Sequence, residues 1–328
     1  MHRIRLLVAL AVASALVTGC AGAADPEGQP APSEGGAAFP VTVDHRFGAV
    51  TIPEEPERVV ALGFTEQDAI LAFGVVPVGV RYAFGPEDDA FFPWADEIAG
   101  DASPAILPRE DVDPEAVAAL RPDLIMAVTA GLDRAQYDVL SRIAPVVVPP
   151  QGHIDFGVPW QEQTRITGRA LGQPERAEEI VAEVEGEFAR VRSEHPQLAG
   201  RSVVLSGPAY DGQYPVHAGA DTRTRFFGEL GMVVPPAIDA AAGDQFYAYL
   251  SREQAGMLDG DVVAFQVGSP AERAGIESDP VLAAVPAVAE GRTLWIEGSD
   301  YDALQFASPL SLPYLLDGFV PKLAASLG

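Results

Sequence analysis

The sequence predicts two doubly wound α/β lobes joined by a single long backbone helix. Strand-like apolar runs alternate with helical patterns over residues 58–148, and the alternation resumes over residues 202–296. This alternation is typical of parallel strands connected by crossover helices. Residues 158–196 keep helical spacing for much longer than any earlier helix. A length of 328 residues also accommodates about two domains.

The first predicted lobe covers residues 41–157. It opens with a hairpin whose strands, 41–43 and 49–52, flank a turn. Pro114 suits the first turn of a helix, where its missing N–H costs nothing. The alternation that follows predicts strands at 58–62, 75–80, 123–128 and 146–148, and helices at 66–73, 114–120 and 134–143.

The joining helix is predicted at residues 158–196 and the second lobe at residues 197–328. Ile180, Val184 and Phe188 recur at helical spacing, and the stretch from Gly172 to Pro174 marks a kink or a break between two helices. The second lobe has predicted strands at 202–205, 262–265 and 292–296, and helices at 222–230, 252–258 and 312–327.

A weak internal repeat supports two lobes of similar construction. The segment PEAVAALRPDLIMA aligns without gaps on REQAGMLDGDVVAF. The three identities are Glu115 with Glu253, Leu120 with Leu258, and Asp123 with Asp261. Chance is the alternative, since helix, turn and buried strand recur throughout α/β proteins, but we favour a structural repeat.

The charge of the chain excludes nucleic acid as a partner. The formal net charge is -26, and no run of lysine or arginine interrupts the acidic surplus. Phosphate backbones would be repelled.

The motifs of common enzyme classes are missing from the sequence. It has no Gly-x-Ser-x-Gly elbow, no phosphate-binding loop and no His-Glu-x-x-His, so we expect no enzymatic activity. Beyond residue 40 the histidines are His45, His153, His195 and His217, which are too scattered to favour a bare metal site.

The N-terminus has the pattern of an export signal. Arg3 and Arg5 precede twelve apolar or small residues, which is too few to span a membrane. The following Val-Thr-Gly-Cys resembles the lipobox of bacterial lipoproteins, which makes Cys20 the lipidated residue after a signal peptide of residues 1–20. Residues 21–40 are a predicted flexible tether. An ordinary signal peptide with an incidental cysteine is the alternative.

Several segments together resemble one family of binding proteins. These are PERVVALGFTEQDAILAFGVVPVGV, VDPEAVAALRPDLIM, TAGLDRAQYDVLSRIAPVV, the long mid-chain helix and SPLSLPYLLD. They are similar to the iron-siderophore substrate-binding lipoproteins of ABC importers, the class III or helical-backbone periplasmic binding proteins. The resemblance runs from about residue 41 to residue 326.

The resemblance implies a function. We expect a monomer on the outer face of the cytoplasmic membrane that holds a ferric siderophore between its lobes and delivers it to an ABC permease. It implies no cofactor, with ferric iron present only as part of the siderophore. Haem or cobalamin are alternative ligands of the same fold, and a surface lipoprotein that acts as an interaction or signalling partner is the alternative outside transport.

Candidate ligand-binding residues follow the predicted strands, because ligands of open parallel sheets sit beyond the carboxyl ends of the strands. Arginine pairs with carboxylate or catecholate oxygens, and aromatic rings cover apolar ligand edges. The candidates are Thr65, Arg81, Tyr82, Trp94, Thr129, Tyr210, Tyr214, His217, Arg223, Trp295 and Tyr301.

Some of these candidates have plainer alternatives. Thr65 is equally placed to cap the helix that begins at Glu66, and we favour the cap. Arg81 and Arg223 could instead form surface salt bridges, and Trp94 could be a packing residue.

Permease contacts are expected from the family, in which one surface glutamate on each lobe engages the permease. The repeat matches Glu115 with Glu253, so we assign them as this pair. Glu66, Glu110 and Glu229 compete for the same role.

Overall fold

A computed structural model describes residues 39–81 and 90–327 of the chain. The predicted signal peptide with Cys20, residues 21–38 of the predicted tether, and Tyr82 lie outside the described residues. Within these two ranges, every helix is too short or too polar to cross a bilayer.

The chain begins with the predicted hairpin. Strand β1, Val41–His45, pairs antiparallel with β2, Gly48–Ile52. Its side chains alternate between buried and exposed, as expected of a strand with one covered face. Val41, Val43 and Ile52 are buried in the core of the first lobe.

The first lobe is a five-stranded parallel sheet with helices between its strands. The strands are β3 (Val59–Ala61), β4 (Gly79–Arg81), β5 (Ala105–Leu107), β6 (Leu124–Met126) and β7 (Val146–Val147). They lie in the order β5-β4-β3-β6-β7. The helices are α1 (Glu66–Leu71), α2 (Asp96–Ala99), α3 (Pro114–Ala119) and α4 (Arg134–Leu140).

Two helices, and not one, occupy the predicted joining segment. Helix α5, Trp160–Ala170, ends where Gly172 takes a φ of 72°, and α6 begins at Pro174 and runs to Glu194. A left-handed glycine followed by proline at the first helical turn is a common way to separate two helices. The break left open by the sequence is therefore present, and the long helix that joins the lobes is α6.

Helix α6 contributes to two hydrophobic cores. Ala177 and Ile180 in its first half pack in the core of the first lobe. Val184, Phe188 and Val191 in its second half pack in the core of the second lobe. The lobes are therefore connected by a helix that each of them needs for its own packing.

The second lobe has a sheet of the same size with a different mixture of directions. Its strands are β8 (Val203–Ser206), β9 (Tyr214–His217), β10 (Tyr247–Leu250), β11 (Val262–Gln266) and β12 (Thr293–Ile296). The order is β10-β9-β8-β11-β12. β8, β11 and β12 are parallel, whereas β9 is antiparallel to both β8 and β10.

The helices of the second lobe differ from the prediction near the C-terminus. The predicted helix at 312–327 is divided at Phe319, and Pro321 lies in the first turn of the last helix. The α-helices are α7 (Thr222–Glu229), α8 (Pro236–Ala242), α9 (Pro270–Glu277), α10 (Pro286–Ala289), α11 (Ser299–Phe306), α12 (Ser311–Gly318) and α13 (Val320–Ser326). The predicted helix at 252–258 is a 3-10 helix, Arg252–Leu258.

The two segments of the internal repeat occupy equivalent positions in the two sheets. Asp123 accepts hydrogen bonds from the backbone N–H of Arg58 at 2.9 Å, just before β3. Asp261 accepts one from the N–H of Ser202 at 2.8 Å, just before β8. Each carboxylate, just before β6 or β11, therefore binds the start of the neighbouring central strand, β3 or β8. The predicted class, two α/β lobes joined by a long helix, is confirmed.

Candidate functional site

A cavity of about 370 Å³ lies between the two lobes. The first lobe contributes residues that follow β3 and β6, and the second lobe contributes the start of α7 and one side of α11. Helix α5 and the segment before it close a third side. The principal lining residues are Phe64, Thr65, Thr129, Phe156, Trp160, Gln163, Asp221, Arg223, Phe246, Tyr301, Gln305 and Phe306.

A buried carboxyl group supports the first-lobe side of the cavity. The Glu66 side chain is fully buried and accepts hydrogen bonds from the backbone N–H and the hydroxyl of Thr129, both at 2.6 Å. The two threonine hydroxyl oxygens, of Thr65 and Thr129, lie 3.3 Å apart. Gly63 makes room for the carboxylate, because a Cβ at this position would lie 1.7 Å from the Glu66 Oε2 atom.

Burial controls the charge state of Glu66. Desolvation raises the pKa of the carboxyl group, and the hydrogen bonds from Thr129 and Thr65 lower it by less than burial raises it. Thr65 is at the N-cap position of α1 but its side chain makes no capping hydrogen bond. The predicted cap is therefore wrong. The Thr65 hydroxyl instead contacts Thr129 and accepts from Gln163 Nε2 at 3.4 Å.

A buried ion pair forms the second-lobe side. Arg223 donates through Nε to Asp221 Oδ1 at 2.9 Å and through Nη2 to Asp221 Oδ2 at 2.7 Å. Its Nη1 donates to Gln305 Oε1 at 3.1 Å. Asp221 also caps α7 by accepting from the backbone N–H of Arg223. The pair is therefore fixed by the helix end as well as by its own charges.

His217 lies beside this pair on β9. Its Nδ1 atom is 2.9 Å from Arg223 Nη2 and 3.1 Å from Asp221 Oδ2, so one neutral tautomer satisfies one of the two contacts. Burial and the charge of Arg223 lower the pKa of His217. Burial alone would raise the pKa of Asp221, but the hydrogen bonds and charge of Arg223 outweigh it and hold that pKa well below its usual range.

Aromatic rings cover much of the remaining cavity surface. The rings of Phe64 and Phe156 stack with their centroids 5.6 Å apart. Trp160 donates its indole N–H to Glu229 Oε1 at 2.9 Å and presents its ring to the cavity. This surface is suited to a ligand with a large apolar exterior.

A second buried carboxyl group joins the lobes beside the cavity. Asp68 on α1 accepts hydrogen bonds through Oδ2 from the Ser308 hydroxyl at 2.5 Å and from the Trp94 indole at 2.7 Å. Its Oδ1 atom is buried without a hydrogen-bond partner. Burial raises the pKa of Asp68 to about 6, although the bonds from Ser308 and Trp94 oppose the rise. Ser308 follows α11, so this contact crosses from one lobe to the other.

Four of the predicted ligand-binding residues line the cavity: Thr65, Thr129, Arg223 and Tyr301. Three others lie behind its wall. Arg81 is buried, packs over the Phe64 ring at 4.6 Å and donates to the Arg109 carbonyl oxygen at 2.8 Å. Trp94 donates to Asp68, and His217 contacts the ion pair of Asp221 and Arg223. These three side chains lie next to residues that line the cavity and are not part of the lining.

Three further candidates lie outside the cavity lining, because two are strand residues and the third is in the β8–β9 turn. Tyr214 is fully buried on β9 and donates its hydroxyl hydrogen to Asp279 at 2.7 Å. Tyr210 is exposed and its ring lies beside that of Tyr249. Trp295 on β12 packs against Phe265, with its ring centroid 5.5 Å away. Tyr82 lies outside the described residues.

Sequence reasoning missed several lining residues on helices α5 and α11. Trp160 and Gln163 are on α5, and Gln305 and Phe306 are on α11. Their spacing of three and one residues carries no signal that separates them from ordinary helix packing. The orientation of each helix toward the cavity is set by tertiary contacts alone.

The two candidate docking glutamates are exposed at equivalent places. Glu115 follows the first residue of α3, and Glu253 follows the first residue of the 3-10 helix at Arg252–Leu258. Glu110 is exposed as well. Glu66 is fully buried, and Glu229 accepts from Trp160. Burial removes Glu66 from the competition for a surface contact.

The described ranges contain no cluster of three or more His, Cys, Asp or Glu side chains that could hold a metal ion. The charged groups at the cavity are an aspartate and an arginine, which already bind each other.

Comparison with known proteins places this geometry in a family. The model of the family described as "Periplasmic binding protein" matches residues 61–296. The chain is 28% identical over 211 residues to the Fe(3+) dicitrate-binding periplasmic protein FecB of Escherichia coli (strain K12), covering 62% of this chain and 66% of FecB. The alignment thus spans slightly less than two thirds of FecB.

Two solved structures extend the similarity to nearly the whole described chain. A periplasmic solute binding protein from Mycobacterium smegmatis str. MC2 155 has 38% sequence identity and a TM-score of 0.80, covering 88% of this chain and 99% of that one. PiaA of Streptococcus pneumoniae TIGR4, in complex with ferrichrome, has 25% identity and a TM-score of 0.76, covering 88% and 98%.

The family match covers most of the chain, and the resemblance drawn from the sequence is confirmed. The chain belongs to the periplasmic binding protein family, a family of substrate-binding proteins and not of enzymes.

Proposed function

We propose that this protein is an extracytoplasmic, lipid-anchored solute-binding protein that captures a ferric siderophore between its lobes and delivers it to an ABC importer. The observation that carries the proposal is the cavity itself, to which both lobes contribute lining residues. Relatives named for ferric dicitrate and for a complex with ferrichrome support iron chelates as the ligand class. Iron enters as cargo inside its chelator, and no cofactor is involved.

The chemistry of the lining favours a chelate over a bare ion. Aromatic rings from Phe64, Phe156 and Trp160 can cover the organic shell of a ligand, whereas a bare ferric ion would need several oxygen ligands. Hydroxyl and amide groups of Thr65 and Gln163 can bond to ligand oxygen atoms at the edge of that shell.

Attachment to the membrane and delivery to the permease are further parts of the proposal. The lipid anchor rests on the pattern around Cys20, and the docking pair on the exposure of Glu115 and Glu253. Charge reversal of both glutamates should abolish uptake in cells while leaving ligand affinity unchanged. Normal uptake by the double variant would remove this assignment.

Ligand binding is tested by titrating the purified protein with ferric catecholates, ferric hydroxamates, ferric dicitrate, haem and cobalamin. Quenching of tryptophan fluorescence gives the affinity, and calorimetry gives the stoichiometry. We expect saturable binding of one ferric chelate class at micromolar or lower concentration without turnover. Binding of haem or cobalamin alone would identify that compound as the ligand in place of a siderophore. No binding of any of these compounds would favour an interaction or signalling lipoprotein.

A matched pair of variants locates the site. Tyr301→Ala removes a ring that lines the cavity, and Tyr210→Ala removes an exposed ring outside it. We expect the first change to raise Kd at least about tenfold, equivalent to ~1.4 kcal/mol. The second should leave Kd within about twofold, because surface residues away from a binding site contribute little. Equal effects would place binding elsewhere.

A further inference from the structure

The charges that face the cavity cancel. Among the lining residues that the structure describes, only Asp221 and Arg223 are charged at neutral pH, and they form one ion pair. Residues 82–89 lie outside the described ranges, but their sequence contains no lysine or arginine. The lining therefore carries no surplus of positive charge.

Arg223 has little hydrogen-bonding capacity left for a ligand. A guanidinium has five N–H donors. Asp221 takes one from Nε and one from Nη2, Gln305 takes one from Nη1, and His217 lies within reach of another on Nη2. When His217 Nδ1 accepts from Nη2, one Nη1 hydrogen remains, which is too few for the forked recognition of a carboxylate or catecholate.

The other candidate cation, Arg81, is not among the residues that line the cavity. Arg81 donates through Nε and Nη2 to the Arg109 carbonyl oxygen and through Nη1 to the Ala130 carbonyl oxygen. Its guanidinium packs on the ring of Phe64, which itself lines the cavity. Burial lowers the pKa of Arg81, and the carboxyl groups of Glu66 and Asp111 oppose this shift.

Two unfavourable contributions to the free energy of binding would oppose the entry of an anionic ligand into this cavity. It would lose hydration without gaining an opposite charge, which is costly in a space lined by aromatic rings. It would also approach a protein whose formal net charge is -26. A ligand of little or no charge avoids both contributions and is stabilised by contact with the apolar lining.

We propose that the ligand is a ferric chelate of little or no net charge, of the trihydroxamate type rather than the tricatecholate or polycarboxylate type. The inference rests on the proposed function. Three hydroxamate anions balance Fe³⁺, whereas three doubly ionised catecholates leave a charge of about 3−. The trihydroxamate oxygens can accept from neutral donors such as Gln163 Nε2 and from the remaining Nη1 hydrogen of Arg223.

The test is calorimetric titration of the wild-type protein with three preformed chelates: ferrichrome, ferric enterobactin and ferric dicitrate. At low ionic strength we expect the Kd of ferrichrome to be at least ~100-fold lower than that of either anionic chelate, equivalent to about 2.7 kcal/mol. Added salt should lower the Kd of the anionic chelates by screening repulsion and leave that of ferrichrome nearly constant.

The outcomes separate the two proposals. Equal or tighter binding of ferric enterobactin or ferric dicitrate would overturn the trihydroxamate assignment and leave the proposed function standing. Failure of all three chelates to bind would overturn the proposed function and this inference with it.

A charge variant tests the reason for the selectivity. Asp221→Asn removes one negative charge at the cavity and keeps a side-chain oxygen able to cap α7. The ratio of the ferric enterobactin Kd to the ferrichrome Kd should fall at least ~5-fold. Asp138→Asn removes an exposed charge on α4 and serves as the control with an unchanged ratio. An unchanged ratio in both variants would contradict the electrostatic argument.

Discussion

The two lobes have sheets of the same strand order, yet they reach the cavity through different connections. In the first lobe β3 leads directly into α1, so Thr65 and the buried Glu66 lie at the end of the central strand. In the second lobe β8 turns back into the antiparallel β9, and the cavity residues come from α7 and α11. The connection that follows β3 or β8 therefore decides which residues each lobe presents to the cavity.

This difference separates the chemistry of the two cavity walls. The first lobe offers threonine hydroxyls held by a carboxyl group beneath them. The second lobe offers an ion pair that is satisfied internally. An equal strand order thus does not imply an equal distribution of polar groups.

The largest expected effect comes from breaking the second-lobe ion pair. Arg223→Gln leaves the Asp221 carboxylate, whose side chain is 2% exposed, without its cation. We expect the free energy of unfolding to fall by about 3 kcal/mol, measured by urea denaturation. The first-lobe pair of Arg134 and Asp138 is exposed, so Arg134→Gln should cost less than ~1 kcal/mol. Equal losses would contradict the contrast between the buried pair of the second lobe and the exposed pair of the first.

The contact between the lobes should show in the pH dependence of stability. The folded pKa of Asp68 is raised to about 6 from 3.8, so the folded state binds more protons than the unfolded state between pH 4 and 6. Stability from this group is therefore full below pH 4 and falls as pH rises toward 6.

Asp68→Asn tests this dependence, because the amide does not titrate. The free energy of unfolding of the variant, relative to that of the wild type, should rise by about 2 kcal/mol from pH 4 to pH 7. The reason is that the pKa of Asp68 in the folded state is raised from 3.8 to about 6. Unfolding curves at both pH values measure it. A constant difference between the two proteins would show that Asp68 titrates normally.

Equivalent glycines sharpen the comparison of the central strands. Gly63 and Gly207 follow β3 and β8 at the same register. A Cβ at Gly63 would collide with the Glu66 carboxylate, whereas one at Gly207 would lie 3.4 Å from its nearest neighbour, the Gln266 carbonyl oxygen. We expect Gly63→Ala to cost about 2 kcal/mol through lost hydrogen bonds to Thr129, and Gly207→Ala less than ~1.

Thermal unfolding of the two alanine variants decides this prediction. Similar melting temperatures for both would indicate that Glu66 moves without losing its partners. A lower melting temperature for Gly207→Ala would reverse the assignment.

The smallest effect is expected at the start of α1. The Thr65 hydroxyl makes no capping bond, so Thr65→Val should lower the free energy of unfolding by less than ~0.5 kcal/mol. Ser269 caps α9 in the second lobe by accepting from the N–H of Glu272, and Ser269→Ala should cost about 1 kcal/mol. Chemical denaturation compares them, and a loss for Thr65→Val as large as that for Ser269→Ala would contradict the small effect expected at Thr65.

The sequence predicted those parts of the fold in which local pattern and packing agree. Buried apolar runs such as Val59–Ala61 and Val262–Gln266 became central parallel strands. β9 was not predicted, since Tyr214–His217 contains a proline and follows a short turn. β5, at Ala105–Leu107, has only three residues and no alternation to detect. Both β9 and β5 form by pairing with a neighbouring strand, and the local sequence does not encode that pairing.

Each predicted residue that lines the cavity follows the end of a strand or lies in the first turn of a helix after a strand. Thr65 and Thr129 follow parallel strands and line the cavity. Arg81 also ends a strand, but its long side chain turns inward to backbone carbonyl groups. Sequence fixes the position of the Cα atom in such cases, while the direction of the guanidinium depends on which acceptors the fold brings near.

The sharing of α6 between two cores affects how the protein melts. Disordering of the first lobe would expose Ile180, and disordering of the second would expose Phe188, on a helix that the remaining lobe needs intact. Neither half can lose its packing alone. We expect a single cooperative transition in a calorimetric scan, with the van't Hoff enthalpy equal to the calorimetric enthalpy.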